Sequence, residues 1–124
     1  MKLNHDCIRD ILFEVEENTD YSNHFSFPCE SDRLSKYDDD TVLYHIRQCD
    51  LSGMFTKVHY FLGGGCLIID LTPSGHNYIA QIRSDNNWNK TKEIAKKAGV
   101  FTLDGLKTIA VGVASEAINR ALNG

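Results

Sequence analysis

Only two prolines and nine glycines punctuate the chain, and no Ser-rich or Gln-rich run accompanies them, so there is no room for a long disordered linker. Nearly all of it should be ordered. Long hydrophobic runs are also missing: the strongest, Cys66 to Ile69 and Ile109 to Ala114, fall far short of the roughly 20 residues that span a membrane. Met1-Lys2-Leu3-Asn4-His5-Asp6 carries charge with no apolar segment behind it, so no signal peptide is read and a cytoplasmic location is expected. No C-x-x-C pair occurs. Cys7, Cys29, Cys49 and Cys66 are dispersed, and in a reducing compartment they are expected to be small buried or half-buried thiols.

What is present is 42% apolar residues in 124, enough for one core without disulfides or metal. Charge is uneven. Residues 1–54 hold 12 acidic and 5 basic side chains, net −7, whereas residues 55–124 hold 5 acidic and 8 basic, net +3. An acidic front half argues against a broad phosphate-binding face, because phosphate contacts dominate nucleic-acid affinity.

Asn4 is a plausible N-cap, and Cys7, Ile8, Ile11, Leu12 and Val15 follow at helical spacing, predicting a helix over residues 4–17. His24 to Phe27 alternates like a short strand closed by Pro28, and residues 28–37 read as loop with at most one helical turn at 33–36. Asp38-Asp39-Asp40 sits where a helix N-terminus welcomes negative charge, with Val42, Leu43, Ile46 and Cys49 as its apolar face and Gly53 as its stop. A hairpin then runs from Phe55 to Leu71. With Gly63-Gly64 as the turn, Tyr60 faces Leu67, Val58 faces Ile69, and Lys57 pairs with Asp70. This register turns Val58, Tyr60, Leu62, Leu67, Ile69 and Leu71 inward and His59, Phe61, Cys66 and Ile68 outward.

Thr72-Pro73 predicts a helix from 73 to 84, broken at Asn86 and Asn87. A short basic helix over 89–98 ends at Gly99, and Thr102 caps a last, longest helix, with Phe101 and Leu106 as a staple and an apolar stripe running on to Ile118 and Leu122. The order is that of an α+β, winged-helix-like domain with a two- to three-stranded antiparallel sheet over residues 1–85. Residues 86–124 read as a C-terminal helical extension, packed on that domain or forming a homodimer contact through small residues such as Ala110, Gly112, Ala114 and Ala117.

Ile8 to Asn18, Tyr44-His45-Ile46-Arg47, Leu71-Thr72-Pro73-Ser74-Gly75-His76, Ile82-Arg83-Ser84-Asp85 and Trp88-Asn89-Lys90-Thr91-Lys92 recur in one order. Together they resemble an uncharacterised phage and prophage family, the domain-of-unknown-function family 2513. The resemblance covers almost the whole chain and implies a small protein of the bacterial host cytosol with a winged-helix-like core. The chain departs from the family pattern at Gln48 and Cys49, where leucine-like residues are usual, and in its run of three aspartates.

Chemistry is thinly signalled. His45 and Cys49 lie four apart on one helix and His59 and Cys66 on adjoining strands, but the tight ligand pairs that announce zinc are missing, so no metal and no cofactor are expected. His45 beside the acidic helix face reads as a solvated or interface histidine. Nothing selects a nucleophile with its base, the aspartate run lacks the buried setting that tunes a catalytic carboxylate, and Gly63 to Gly65 is not followed by a phosphate-binding helix. A non-enzymatic protein is expected.

Two binding surfaces remain. Asp38, Asp39, Asp40, Tyr44, Arg47 and Gln48 on the acidic helix, with Lys57, His59, Phe61 and Ile68 on the wing, suit a protein partner, since the acidic surface can steer a basic one. A regulatory or inhibitory protein, directed for example at a host defence complex of the CRISPR type, is the leading expectation. Arg83, Trp88, Lys90, Lys92, Lys96 and Lys97 form the alternative, a nucleic-acid surface with Trp88 for stacking, as in a DNA-binding transcription regulator.

Overall fold

The structure, a computed structural model, describes residues 1–124. It holds five helices and one small antiparallel sheet, an α+β fold. The chain forms two compact units, residues 1–76 and 77–124, which divide within a single helix.

In the first unit, α1 (His5–Asn18) starts because the Asn4 side chain accepts the Cys7 N–H over 3.1 Å, and it closes as the Thr19 hydroxyl donates to the Val15 carbonyl. Cys7, Ile8, Ile11, Leu12 and Val15 are all fully buried. Their 3–4 spacing forms one stripe, and each large side chain contributes about 1.5–3 kcal/mol of transfer free energy. That stripe packs on α2 (Asp39–Leu51), which buries Val42, His45, Ile46 and Cys49. Leu43, read as core, is only half-buried, and His45, read as a solvated or interface residue, is buried in the core with 0% exposure.

The stretch between β1 (Phe25–Phe27) and α2 contains a single helical turn, closed by the Ser35 N–H donating to the Ser31 carbonyl over 2.9 Å. Charge clamps it to α1. Arg33 bridges Glu14 at 2.8 Å and Glu17 at 3.1 Å while lying over the Phe13 ring, and Lys36 and the Tyr37 hydroxyl both reach Asp10. Leu34 plugs the core beneath.

Strands β2 (Val58–Tyr60) and β3 (Cys66–Ile68) form the expected hairpin, and β1 joins it to give the order β1-β3-β2. The register is one residue away from the reading above: Val58 faces Ile68, His59 faces Leu67 and Tyr60 faces Cys66. A one-residue slip exchanges the faces of a strand. Cys66 and Ile68, expected outside, are therefore fully buried, and Leu67 is the residue turned outward opposite His59. The cause is the third glycine. Gly65 takes φ +88° beside Gly64 at +100°, and a Cβ on Gly65 would lie 2.6 Å from the Phe27 carbonyl oxygen, so β1 can pair with β3 only if this position is glycine. Lys57 consequently stands opposite Ile69, and the expected Lys57–Asp70 pair is replaced by Asp70 accepting from the Leu71 N–H at 2.7 Å and the Thr19 hydroxyl at 3.2 Å.

Helix α3 (Pro73–Ile82) begins where the Thr72 hydroxyl accepts the Gly75 N–H and donates to the Gly53 carbonyl. Tyr78, Ile79 and Ile82 are buried, as their spacing predicts. The break comes at Arg83-Ser84, ahead of the expected Asn86-Asn87, because the Ser84 hydroxyl caps α4 (Asp85–Ala98) by accepting the Asn87 N–H. Gly99, at φ +69°, ends α4 in the left-handed C-cap conformation. Thr102 caps α5 (Leu103–Asn123), the longest helix, which packs on α4 through Leu103, Leu106, Ala110 and Val113. Phe101 is 60% exposed, and Val100 is the side chain seated against Gly105 in the first turn.

Candidate functional site

In the first unit α2 and the β2–β3 hairpin, or wing, both carry exposed side chains and are linked by the Tyr60–Asp50 hydrogen bond. Outward from α2 stand Asp39, Asp40, Arg47 and Leu51, with Tyr44 and Gln48 half-buried among them. Asp38 serves the helix itself: its carboxylate accepts the Thr41 N–H over 2.7 Å, and hydrogen bonds from Thr41 hold it below the usual carboxylate range. Two free carboxylates thus remain at the helix end where the peptide dipoles favour negative charge.

At the opposite end of α2 the wing is tied down by one bond, the Tyr60 hydroxyl donating to Asp50 over 2.9 Å. Burial and then the Asp50 carboxylate push the phenol pKa up, so the donor stays protonated. Beyond Tyr60 the hairpin tip is apolar and bare: Phe61 is 51% exposed, Leu62 111%, and Leu51 on the neighbouring helix end 75%. Backbone hydrogen bonds nevertheless close the tip. The Phe61 N–H donates to the Gly65 carbonyl, and the Gly64 N–H donates to the Phe61 carbonyl, both over 3.1 Å.

Of the wing residues singled out from sequence, Lys57, His59 and Phe61 are exposed and available, while Ile68 belongs to the core face. Tyr60, Leu62 and Leu51 were missed as surface residues. The first two follow from the register slip; Leu51 lies at helical spacing from Tyr44 and Arg47 and was legible on that ground.

The metal candidates do not converge. No group of three or more His, Cys, Asp or Glu side chains comes together, His59 and Cys66 occupy opposite faces of the hairpin, and both ring nitrogens of His45 are engaged. Two open, shallow grooves of about 480 and 460 Å3 flank Cys29 and Glu30, the first lined by Phe27, Leu34, Tyr37 and Asp39, the second by Glu14, His24 and Phe25. Neither encloses a ligand in the way a cofactor site does.

In the second unit the proposed stacking residue is out of reach: Trp88 is 2% exposed, one of the core side chains of α4, with the Lys92 ammonium 5.4 Å from its ring. Lys90 pairs with Glu116 and Lys97 with Glu93, at 3.5 and 3.2 Å. Arg83 and Lys96 are exposed. The basic residues are therefore spread over α4 and the turn before it and partly neutralised, without an aromatic platform.

Fold and surface together define a small α+β protein with an exposed hairpin tip and an exposed helix face. The chain belongs to the DUF2513 family, described as a hypothetical protein, whose model matches residues 2–101. It is similar to an uncharacterized protein of Haemophilus influenzae, 29% identical over 119 residues that make up 94% of this chain and 98% of the relative. No solved structure matches it. No helix is long and apolar enough to cross a membrane.

Proposed function

We propose that this protein is a non-enzymatic regulatory or inhibitory protein of phage type that acts by binding another protein through the wing tip and the adjoining end of α2. The observation that carries the reading is the pair Phe61 and Leu62, 51% and 111% exposed on a loop that its own backbone hydrogen bonds hold in place. A closed apolar tip contributes nothing to its own core and is preorganised to enter a partner's pocket, which lowers the entropic cost of binding. The winged-helix reading is supported by the order helix, strand, helix, hairpin and by the β1-β3-β2 sheet. The acidic first turn of α2, with Asp39 exposed, supplies steering charge for a basic partner, such as the nucleic-acid groove of a host defence complex.

The test is affinity capture from host extract with the wild type and with Phe61→Ser/Leu62→Ser side by side, then reconstitution of the captured protein from pure components. Loss of binding in the tip variant, with an unchanged circular dichroism spectrum, supports the reading. Undiminished binding removes it. A gel-shift titration against the chain's own upstream DNA at two salt concentrations addresses the transcription-regulator alternative: a salt-steep shift abolished by reversing Lys90, Lys92, Lys96 and Lys97 to Glu would replace the protein-partner reading.

A further inference from the structure

The outward stripe of α2 consists of Asp40, Tyr44, Arg47 and Leu51, recurring at i, i+4, i+7 and i+11, so the four side chains share one face of the helix opposite Val42, His45, Ile46 and Cys49. Neither Asp40 nor Arg47 has an ion-pair partner within its own chain. Their charges are opposite, and they flank the half-buried pair Leu43 and Tyr44 at equal spacing along the helix.

We propose that this stripe is a homodimer seam, on which α2 of a second copy of this chain lies antiparallel about a two-fold axis between Leu43 and Tyr44. In a two-fold interface residue i meets j and j meets i, so a self-pairing surface must place complementary groups symmetrically about its centre. This stripe does so: Asp40 of each copy meets Arg47 of the other, and Tyr44 meets Leu43. Parallel pairing would oppose Asp40 to Asp40 and Arg47 to Arg47. A uniformly basic partner would be drawn to Asp40 and repelled by Arg47, whereas a second copy matches both ends. Exposed ion pairs are individually weak, so the two pairs set direction and register while Leu43 and Tyr44 supply the apolar contact. The inference rests on α2 as a protein-docking face and names its occupant; the wing tip is left for the other partner.

The experiment is sedimentation of the purified full chain over a hundredfold range of concentration, so its outcome is independent of any captured partner. The expected result is a concentration-dependent monomer–dimer equilibrium. Arg47→Asp or Asp40→Arg alone weakens it at least about tenfold, and the double reversal restores it to within about threefold. Circular dichroism checks the fold of each variant, and Tyr44→Ala gives a second, charge-neutral way to weaken the seam. A chain that stays monomeric at every concentration overturns the proposal. So does a dimer indifferent to both reversals but dissociated by Ile118→Glu, which would assign self-association to α5.

Discussion

Asn4, the residue that caps α1, donates its backbone N–H to Nε2 of His45 over 2.8 Å, joining the start of one helix to the middle of another across 41 positions of sequence. Because Nε2 must accept, the ring proton sits on Nδ1, from which it is donated to the Thr41 carbonyl over 2.7 Å. A side chain with no exposure thus has both ring nitrogens satisfied, and the Asn4 N–H, which no turn of α1 can serve, finds an acceptor.

Replacing His45 with alanine removes the acceptor of the Asn4 N–H and opens a cavity, and the expected cost is about 2–4 kcal/mol, measured by urea unfolding. His45→Gln, which can both donate and accept, should recover part of it. Nitrogen chemical shifts of the native ring should report the Nδ1–H tautomer; the Nε2–H form would contradict the Asn4 bond.

The α2 cap carries a pH dependence of definite sign. Asp38 is held below its ordinary value of 3.8, first by the hydrogen bond with the Thr41 side chain and then by the Thr41 amide. A depressed folded pKa contributes stability that is complete above the unfolded value and disappears as pH falls through the folded one. Asp38→Asn keeps a capping side chain without the ionisation. The stability difference between wild type and Asp38→Asn should therefore be constant from neutral pH down to the ordinary aspartate range and close below it. A difference that persists unchanged into stronger acid would refute the assignment.

Thiol chemistry should separate the four cysteines. Cys7, Cys49 and Cys66 are buried, and burial pushes the Cys7 thiol up to about 12 and Cys66 to about 11, so neither offers thiolate at neutral pH. Cys29 is exposed, although partial burial raises its pKa as well. Alkylation of the native protein, followed by mass spectrometry, should add one label at Cys29 slowly and the other three only on unfolding.

Two glycines should resist substitution. A Cβ at Gly75 would collide with the Met54 carbonyl oxygen, which also accepts the Thr72 N–H, and a Cβ at Gly65 would meet the Phe27 carbonyl at positive φ. Backbone cannot retreat as a flexible side chain can, so Gly75→Ala and Gly65→Ala should each destabilise by about 1–3 kcal/mol or more, whereas Gly112→Ala, with nothing within 4 Å, should be neutral or slightly stabilising. Thermal melts of the three variants make the comparison.

Helix α5 should lose protection from hydrogen exchange along its length. Val113 is its last buried residue, and Ile118 and Leu122 are 59% and 78% exposed. A helical end without tertiary packing is marginal in water. Amides after residue 117 should exchange much faster than those of Leu106 to Val113.

Most of the fold was readable because the helices announce themselves twice, in an apolar period and in a cap. Asn4, Asp38, Thr102 and Gly99 all terminate the elements their residue types imply. The readings that failed depended on contacts distant in sequence. Nothing among Gly63, Gly64 and Gly65 marks which two make the turn; the decision belongs to Phe27, nearly forty residues earlier, and it moved Ile68 from the candidate surface to the core. Trp88 was misplaced because its helix was started too late, although Trp88, Thr91 and Ala95 are spaced as one buried stripe. His45 shows the opposite case. It falls between Val42 and Cys49 on the apolar arc, and the period alone placed it inside, but a polar side chain looks solvated until the donor that satisfies it, an amide at the far end of α1, is seen.

The closed loop at the wing tip has an evolutionary consequence. Since the Phe61 and Gly65 backbones complete the turn, the side chain of Leu62 is answerable to nothing inside the protein, and Phe61 to little. Mutation can rewrite those two positions without disturbing the scaffold that carries them. If the tip binds as proposed, descendants of one ancestral sequence could exchange one target for another in a step or two, while the capped helices and the glycines beneath stay under the ordinary discipline of folding.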